Sequence, residues 1–295
     1  MATNTAVHAS HALQDWIGRS ETAVDTLYPT PVRALSATLD SNLTAPGPHE
    51  SLPPLWHWLY FLPLHSQSEI GLDGHARRGG FLPPVNLPRR MWAGGQLQFK
   101  RALKVGEAVR RVSTIRDVTQ KQGRTGPLVF VKVEHAIFGD TDADPALVEF
   151  HDIVYRDAES ASERRPAPER AELSALWMRE IQPDPVLLFR YSALTFNGHR
   201  IHYDRTYVTE EEGYPGLVVH GPLVATLLLE LVRREQPLAV VEAFSFKAVR
   251  PLFDLHPFAV CGVPSADGHS IALWAQDHEG YVTMRATATL RATHP

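Results

Sequence analysis

The chain has 295 residues, 44% of them hydrophobic and 21% charged, with 29 basic against 33 acidic side chains. That length holds about two domains of roughly 150 residues, or one large one, and a net charge of −4 excludes the cationic surface of a nucleic-acid binder. The single cysteine, Cys261, excludes a disulfide framework and a Cys-rich metal or cluster site.

Met1 to Gln14 is polar and dotted with histidine, with neither a basic n-region nor an apolar h-region. No run approaches the roughly 18 apolar residues of a membrane span, so a cytoplasmic chain without membrane contact is expected. Pro53 to Pro63 is aromatic and bounded by proline. Gly71 to Gly95 carries six glycines and three prolines, long for a loop in a compact domain, and reads as a functional loop or lid. Val129, Val131, Val133 and Ile137 then share one face of a strand, and Leu147 to Tyr155 adds another. The charged, Pro-bearing stretch 156–170 cannot pack and predicts a linker between domains at 1–155 and 171–295.

In the second half, Pro222 suits a first helical turn, and Gly221 to Glu235 predicts a helix. Leu223, Val224, Leu227, Leu228, Leu231 and Val232 cover so much of its cylinder that it must be buried. Val240 to Leu252, Ser270 to Trp274 and Val282 to Leu290 read as strands, with a turn at Gly280 and Cys261 as a small buried strand residue. The pattern is α+β, a sheet wrapped around one helix. Leu97-Gln-Phe-Lys echoes Phe244-Ser-Phe-Lys at matching places in the two halves, which points to a duplication.

Chemistry concentrates in Phe196-Asn-Gly-His-Arg-Ile-His-Tyr-Asp204, followed by Val219-His220-Gly221-Pro222 at the helix start. A helix N-terminus presents unpaired N–H groups and positive partial charge, which stabilise a developing oxyanion. A histidine near such donors has the parts for proton transfer beside a polarised carbonyl. His199-x-x-His202-x-Asp204 also contains zinc-ligand types, but zinc needs three or four converging ligands, and no metal is expected. Glu210-Glu211-Glu212 reads as a solvated turn.

These residues resemble the MaoC-like (R)-specific enoyl-CoA hydratases, which carry Asp-x-Asn-Pro-aliphatic-His and then His-Gly opening a central helix. The matching string is Asn197-Gly198-His199-Arg200-Ile201-His202, followed by His220-Gly221. The final His, the aliphatic before it and the His-Gly step match. The acidic first position is Asn197, the family's Asn is His199 and its Pro is Arg200. The longer string Tyr191-Ser-Ala-Leu-Thr-Phe-Asn-x-His-Arg-Ile-His-Tyr-Asp204 is closer to the type 2 hydroxyacyl-thioester dehydratases and the bacterial mesaconyl-C4-CoA and itaconyl-CoA hydratases. Trp56-His-Trp-Leu-Tyr60 and Gly79-Gly-Phe-Leu-Pro-Pro-Val85 resemble the first domain of that subgroup.

The resemblance implies a double hot-dog fold, two antiparallel sheets each wrapped around a long central helix. It also implies addition of water to an α,β-unsaturated acyl-CoA without a cofactor, CoA being part of the substrate. His202 is then the base, Asn197 holds the water, and the Gly221 N–H takes the thioester oxygen. His199 and His220 flank them as candidate substrate-binding residues, His220 alternatively only buttressing the loop, and His199 or Asp204 is placed to assist His202. Lys247 and Arg250 are candidates for CoA phosphates or plain surface charges. The first half, lacking the motif, is expected to shape the acyl pocket only, and a homodimer is compatible with this reading. Arg200, where the family has proline, is a spare cation that would hold a distal carboxylate and favours mesaconyl-C4-CoA or itaconyl-CoA, giving citramalyl-CoA. The rivals are a 3-hydroxyacyl-ACP or -CoA dehydratase of fatty acid metabolism and a non-catalytic acyl-thioester binding protein, the latter suggested by the missing Asp.

Overall fold

A computed structural model describes residues 13–41, 44–123, 126–157, 167–172 and 174–291. Period-two sequence becomes strand: in β4 (Gly126–Gly139), Val129, Val131, Val133 and Ile137 are buried. In β10 (Val282–Leu290), Met284, Ala286, Ala288 and Leu290 are buried while Thr287 and Thr289 face solvent. The first half contributes β1 (Ser20–Thr26), β2 (Arg89–Phe99), β3 (Ala108–Gly123), β4 and β5 (Leu147–Arg156). The second contributes β6 (Trp177–Ile181), β7 (Val241–Ala248), β8 (Phe258–Pro264), β9 (Ser270–Gln276) and β10. The predicted linker falls partly outside the described residues, at 158–166.

All ten strands form one antiparallel sheet, ordered β1-β3-β4-β5-β2-β7-β10-β9-β8-β6. The two halves therefore repeat one topology and join where β2 pairs with β7. The echoed residues Leu97 and Phe244 are direct partners in that ladder, so a pseudo-twofold axis passes between them. The duplication continues in α1 (Pro29–Thr38) and α2 (Pro185–Leu194), each opened by proline. Both end in a Schellman motif, with Ser41 N–H donating to Ser36 O at 3.0 Å and Asn197 N–H to Ser192 O at 2.8 Å. The residues before them, Asp40 and Phe196, take positive φ of 47° and 50°.

The halves differ in what covers the sheet. Among the described residues only the second has a long buried helix, α3 (Gly221–Glu235), in which Leu223 through Val232 are all buried. The expected double hot-dog architecture is refined in one detail: among the described residues its two five-stranded halves are continuous in one sheet, and only one half carries a long helix. In the first half Trp56–Leu59 forms a single 3₁₀ turn and caps the sheet with side chains instead. His57 Nε2 donates to Glu149 Oε2 at 2.7 Å and Trp58 Nε1 to Oε1 at 2.9 Å, with His151 also against this carboxylate. Glu149 is 2% exposed, and a charge so placed is tolerated only because it is paired and hydrogen-bonded. The aromatic segment 53–63 is therefore a cover whose His57 and Trp58 ring nitrogens are matched to one buried carboxylate.

Replacing Glu149 by Ala strands the His57 and Trp58 donors in the interior, and removing one partner of a buried pair costs about 3–5 kcal/mol. Glu134→Ala, which breaks the more exposed pair with Arg116, costs less than about 1 kcal/mol. Urea unfolding of the two variants checks this, and equal losses would contradict the assignment.

Candidate active site

The loop that follows α2 owes its shape to the Schellman end. Phe196 in the left-handed region turns the chain back, and Asn197 Oδ1 then accepts from His199 N–H at 3.0 Å. A 3₁₀ turn, Arg200–His202, delivers His202 into the interior, 7% exposed. Two bonds tie this turn to the segment entering α3. Val218 N–H donates to Ile201 O at 2.9 Å, and His202 Nδ1–H donates to Val218 O at 2.7 Å. The second bond assigns the tautomer: with Nδ1 protonated, Nε2 keeps its lone pair.

His220 is the N-cap residue of α3 and is fully buried. Its ring stacks on His202 with centroids 3.7 Å apart and planes 18° apart, and its Nε2 meets Ser192 Oγ at 2.8 Å. It therefore buttresses the His202 ring, and the expectation that it touches substrate is corrected by its burial. Gly221 follows at the start of α3, where its N–H has no intrahelical acceptor. A Cβ on Gly221 would come no nearer than 4.0 Å, to Met284 Cε. The glycine thus avoids no clash; it leaves open the space in front of the helix start.

Burial, reinforced by neighbouring imidazoles, dominates the electrostatics. It pushes His202 down to about 4 and His199 to about 2, and holds His220 well below the usual imidazole value. All three are neutral at pH 7, which suits His202 to accept a proton.

The first half contributes more than a pocket wall. Its loop Gly71–His75, closed by Gly71 N–H to His75 O at 2.7 Å, docks on the motif. Arg200 N–H donates to Asp73 O at 2.9 Å. Gly74 sits at φ +87°, where a Cβ would fall 1.8 Å from Gly198 O, so both glycines are needed for the approach. Asp73 Oδ2 lies 3.0 Å from His75 Nδ1, and the His75 ring packs on His199 with centroids 4.0 Å apart. His199 in turn meets His202 edge to face at 5.4 Å. Asp73, Gly74 and His75 were missed as site residues; their only signal was the glycine-rich loop around them.

The expectations for Arg200 and Asp204 are corrected, and Lys247 and Arg250 are located. Arg200 is not a spare cation: Nε and Nη2 reach Asp204 Oδ2 at 3.0 and 2.8 Å, Nη1 reaches Leu72 O at 3.0 Å, and the guanidinium lies over Tyr207. The i, i+4 spacing makes that pair. It engages Asp204, which also caps Tyr207 N–H and is not placed to assist His202 or join a zinc set. Lys247 is exposed, because Phe244 and Phe246 take the inward side of β7 and leave Lys247 on the outer face of the sheet. Arg250 faces Asp277 at 3.4 Å. Neither touches the histidine cluster. An apolar cavity of about 500 Å³, lined by Trp56, Phe99, Leu229 and Val232, lies near the last turns of α3, and none of the cluster lines it.

The family model for hydroxyacyl-thioester dehydratase type 2 matches residues 55–254. The chain is 48% identical over 278 residues to the mesaconyl-C(4)-CoA hydratase of Chloroflexus aurantiacus, covering 93% of this chain and 96% of that one. It is 28% identical over 269 residues to the mitochondrial hydroxyacyl-thioester dehydratase type 2 of Schizosaccharomyces pombe, covering 80% and 88%. In structure it is similar to a MaoC-like dehydratase from Phytophthora capsici, with a TM-score of 0.71 at 12% identity over 97% of this chain and 99% of that one. That likeness establishes the double hot-dog fold. Among the described residues no helix is long and apolar enough to cross a membrane.

The depressed histidines make stability depend on pH with a definite sign. A histidine whose folded value is lowered contributes stability that is complete above its unfolded value near 6.5 and is lost as pH falls toward the folded value. For His202 that window runs from about 6.5 to about 4. Urea unfolding free energies should therefore fall as pH drops from 6.5 to 5. The slope should be shallower in His202→Gln by about one proton, or about 1.4 kcal/mol per pH unit. A wild-type curve that is flat over this range would contradict the burial of neutral imidazoles.

Proposed function

The chain belongs to the hydroxyacyl-thioester dehydratase type 2 family, and on that premise we propose that it is a carbon–oxygen lyase adding water to a short dicarboxylic enoyl-CoA. The substrate proposed is mesaconyl-C4-CoA or itaconyl-CoA, and the product citramalyl-CoA. One observation carries the mechanism: His202 holds an unprotonated Nε2 one ring-stack from the start of α3. On mesaconyl-C4-CoA, whose double bond is conjugated to the thioester, His202 takes a proton from water as the oxygen bonds to Cβ. The π electrons move toward the thioester oxygen, whose charge the Gly221 N–H and the helix start accept. The imidazolium returns its proton to Cα, completing the addition. Asn197, with Oδ1 occupied by His199 N–H, retains its Nδ2 donors for the water.

The dicarboxylic substrate is supported by the name of the 48%-identical relative and by charge beside the cluster. Arg78 donates to the carbonyls of Val85 and Pro88, and Arg90 bonds the Tyr155 hydroxyl. Both arginines act on His75 as nearby positive charge. With neutral partners, they replace Arg200 as the cations suited to a distal carboxylate. Addition of water transfers no electrons, so the reaction as proposed needs no resident cofactor. We place it in the cytoplasm, with the first half shaping the acyl pocket.

Steady-state hydration of mesaconyl-C4-CoA against crotonyl-CoA tests the proposal. The expected result is a kcat/KM about 30-fold or more higher on the dicarboxylic substrate, the scale of a charge-assisted carboxylate contact. His202→Ala should lower kcat by about 10²–10⁴-fold. A preference for crotonyl-CoA would favour the fatty-acyl dehydratase reading, and tight binding without turnover would favour a binding protein.

A further inference from the structure

The motif lacks a carboxylate at position 197, yet the fold brings one to the same cluster from the other half of the chain. Asp204, the nearest acidic residue in sequence, is held by Arg200 and the Tyr207 N–H. Asp73 instead grips His75 twice, Oδ1 accepting from the backbone N–H at 3.0 Å and Oδ2 from Nδ1–H at 3.0 Å. A carboxylate on Nδ1 fixes the ring and its tautomer, leaving Nε2 as the nitrogen with a lone pair. The ring so fixed packs on His199, which stands edge-on to His202. The loop is anchored to the motif by the Asp73 O to Arg200 N–H bond and by the Gly74–Gly198 contact.

Building on the hydratase reading above, we propose that the Asp73–His75 pair of the first half is the second catalytic group of this site, holding the attacking water opposite His202. His75 Nε2 accepts one O–H of the water while His202 Nε2 accepts the other. As the oxygen bonds to Cβ, His202 takes its proton and the alkene π pair moves onto the thioester oxygen. His202 then returns that proton to Cα, while His75 keeps the second O–H aligned and ends unchanged. The charge states agree: the bonds from His75 outweigh burial and keep Asp73 ionised, and burial keeps His75 neutral. The first half, though it has no motif of its own, is then catalytic and does more than shape a pocket.

The test measures kcat and KM on the enoyl-CoA that the wild type hydrates best, for the wild type, His75→Ala, Asp73→Asn and the double variant His75→Ala with Asn197→Asp, each checked for folding by circular dichroism. Loss of a group that holds the reacting water should lower kcat by about 10²–10³-fold in His75→Ala, with KM within about threefold, and by about 10–100-fold in Asp73→Asn. Restoring a carboxylate at position 197 should recover kcat by about tenfold or more over His75→Ala, which a purely structural loss would not allow. Three results would overturn the proposal: His75→Ala keeping more than half of wild-type kcat, a loss that Asn197→Asp does not recover, or wild-type activity abolished by EDTA. The last would reassign these groups to a metal, since the ligand atoms of Asp73, His75 and His199 lie within 4.8 Å of one another. A wild type that hydrates no enoyl-CoA would overturn the hydratase reading itself and this inference with it.

Discussion

The site depends on one hydrogen bond, His202 Nδ1–H to the Val218 carbonyl. It joins the loop after α2 to the segment before α3, and those segments carry the proposed base and the helix start proposed to take the thioester oxygen. Without it the ring could choose either tautomer, and the nitrogen facing Nδ1's partner would decide nothing about the other. With it, Nε2 keeps the lone pair that the proposed base role requires. The stack on His220 keeps the ring plane fixed, and because His220 immediately precedes Gly221, the same contact sets the base against the first N–H of the helix. Burial then removes the competing charged form. Position, tautomer and charge state thus follow from one bond, one stack and the exclusion of water.

Around that bond the duplicated fold has been used asymmetrically. Both halves run strand, short helix, Schellman turn and then four more strands. The turn leads to Ser41 in one half and to Asn197 in the other. Ser41 Oγ lies at 2.8 Å from Glu230 on the last turns of α3 and serves that buried charge, whereas Asn197 opens the histidine motif. Among the described residues the first half has no long helix and covers its sheet with His57 and Trp58, which meet Glu149, Trp58 packing on Trp92 of β2. The stretch between α1 and β2 also supplies the loop with Asp73 and His75, which docks on the second half. The proposed site is therefore composite, its two contributing segments held together by the β2–β7 ladder on one side and by the Gly74–Gly198 contact on the other.

What was legible in the sequence was local or periodic. The alternation of β4 and β10, the apolar run of α3, and the His202 and His220-Gly221 steps are all written within a few residues of each other. Even the Leu97–Phe244 echo was readable, because duplication leaves similar residues at the axis. What was not legible was contact between distant segments. Nothing near Arg200 says whether its guanidinium meets a substrate or Asp204; the pair follows from a turn that the string alone does not define. Nothing near Asp73 says that it lies against a motif over 120 residues away. The continuous sheet was equally hidden, since β2 and β7 each look like an ordinary strand until they pair. The short helix α1 escaped because Pro29 and Pro31 and a weakly apolar run mask its period.

The central claim is that His202 rests as a neutral imidazole protonated on Nδ1. Nitrogen-15 NMR of histidine-labelled protein at pH 7 tests it most directly, because ring nitrogens with and without a proton differ widely in shift. A protonated Nδ1 and an unprotonated Nε2 are expected for His202, unchanged as the pH is lowered to 5. An imidazolium at pH 7, or a proton on Nε2 instead, would contradict it.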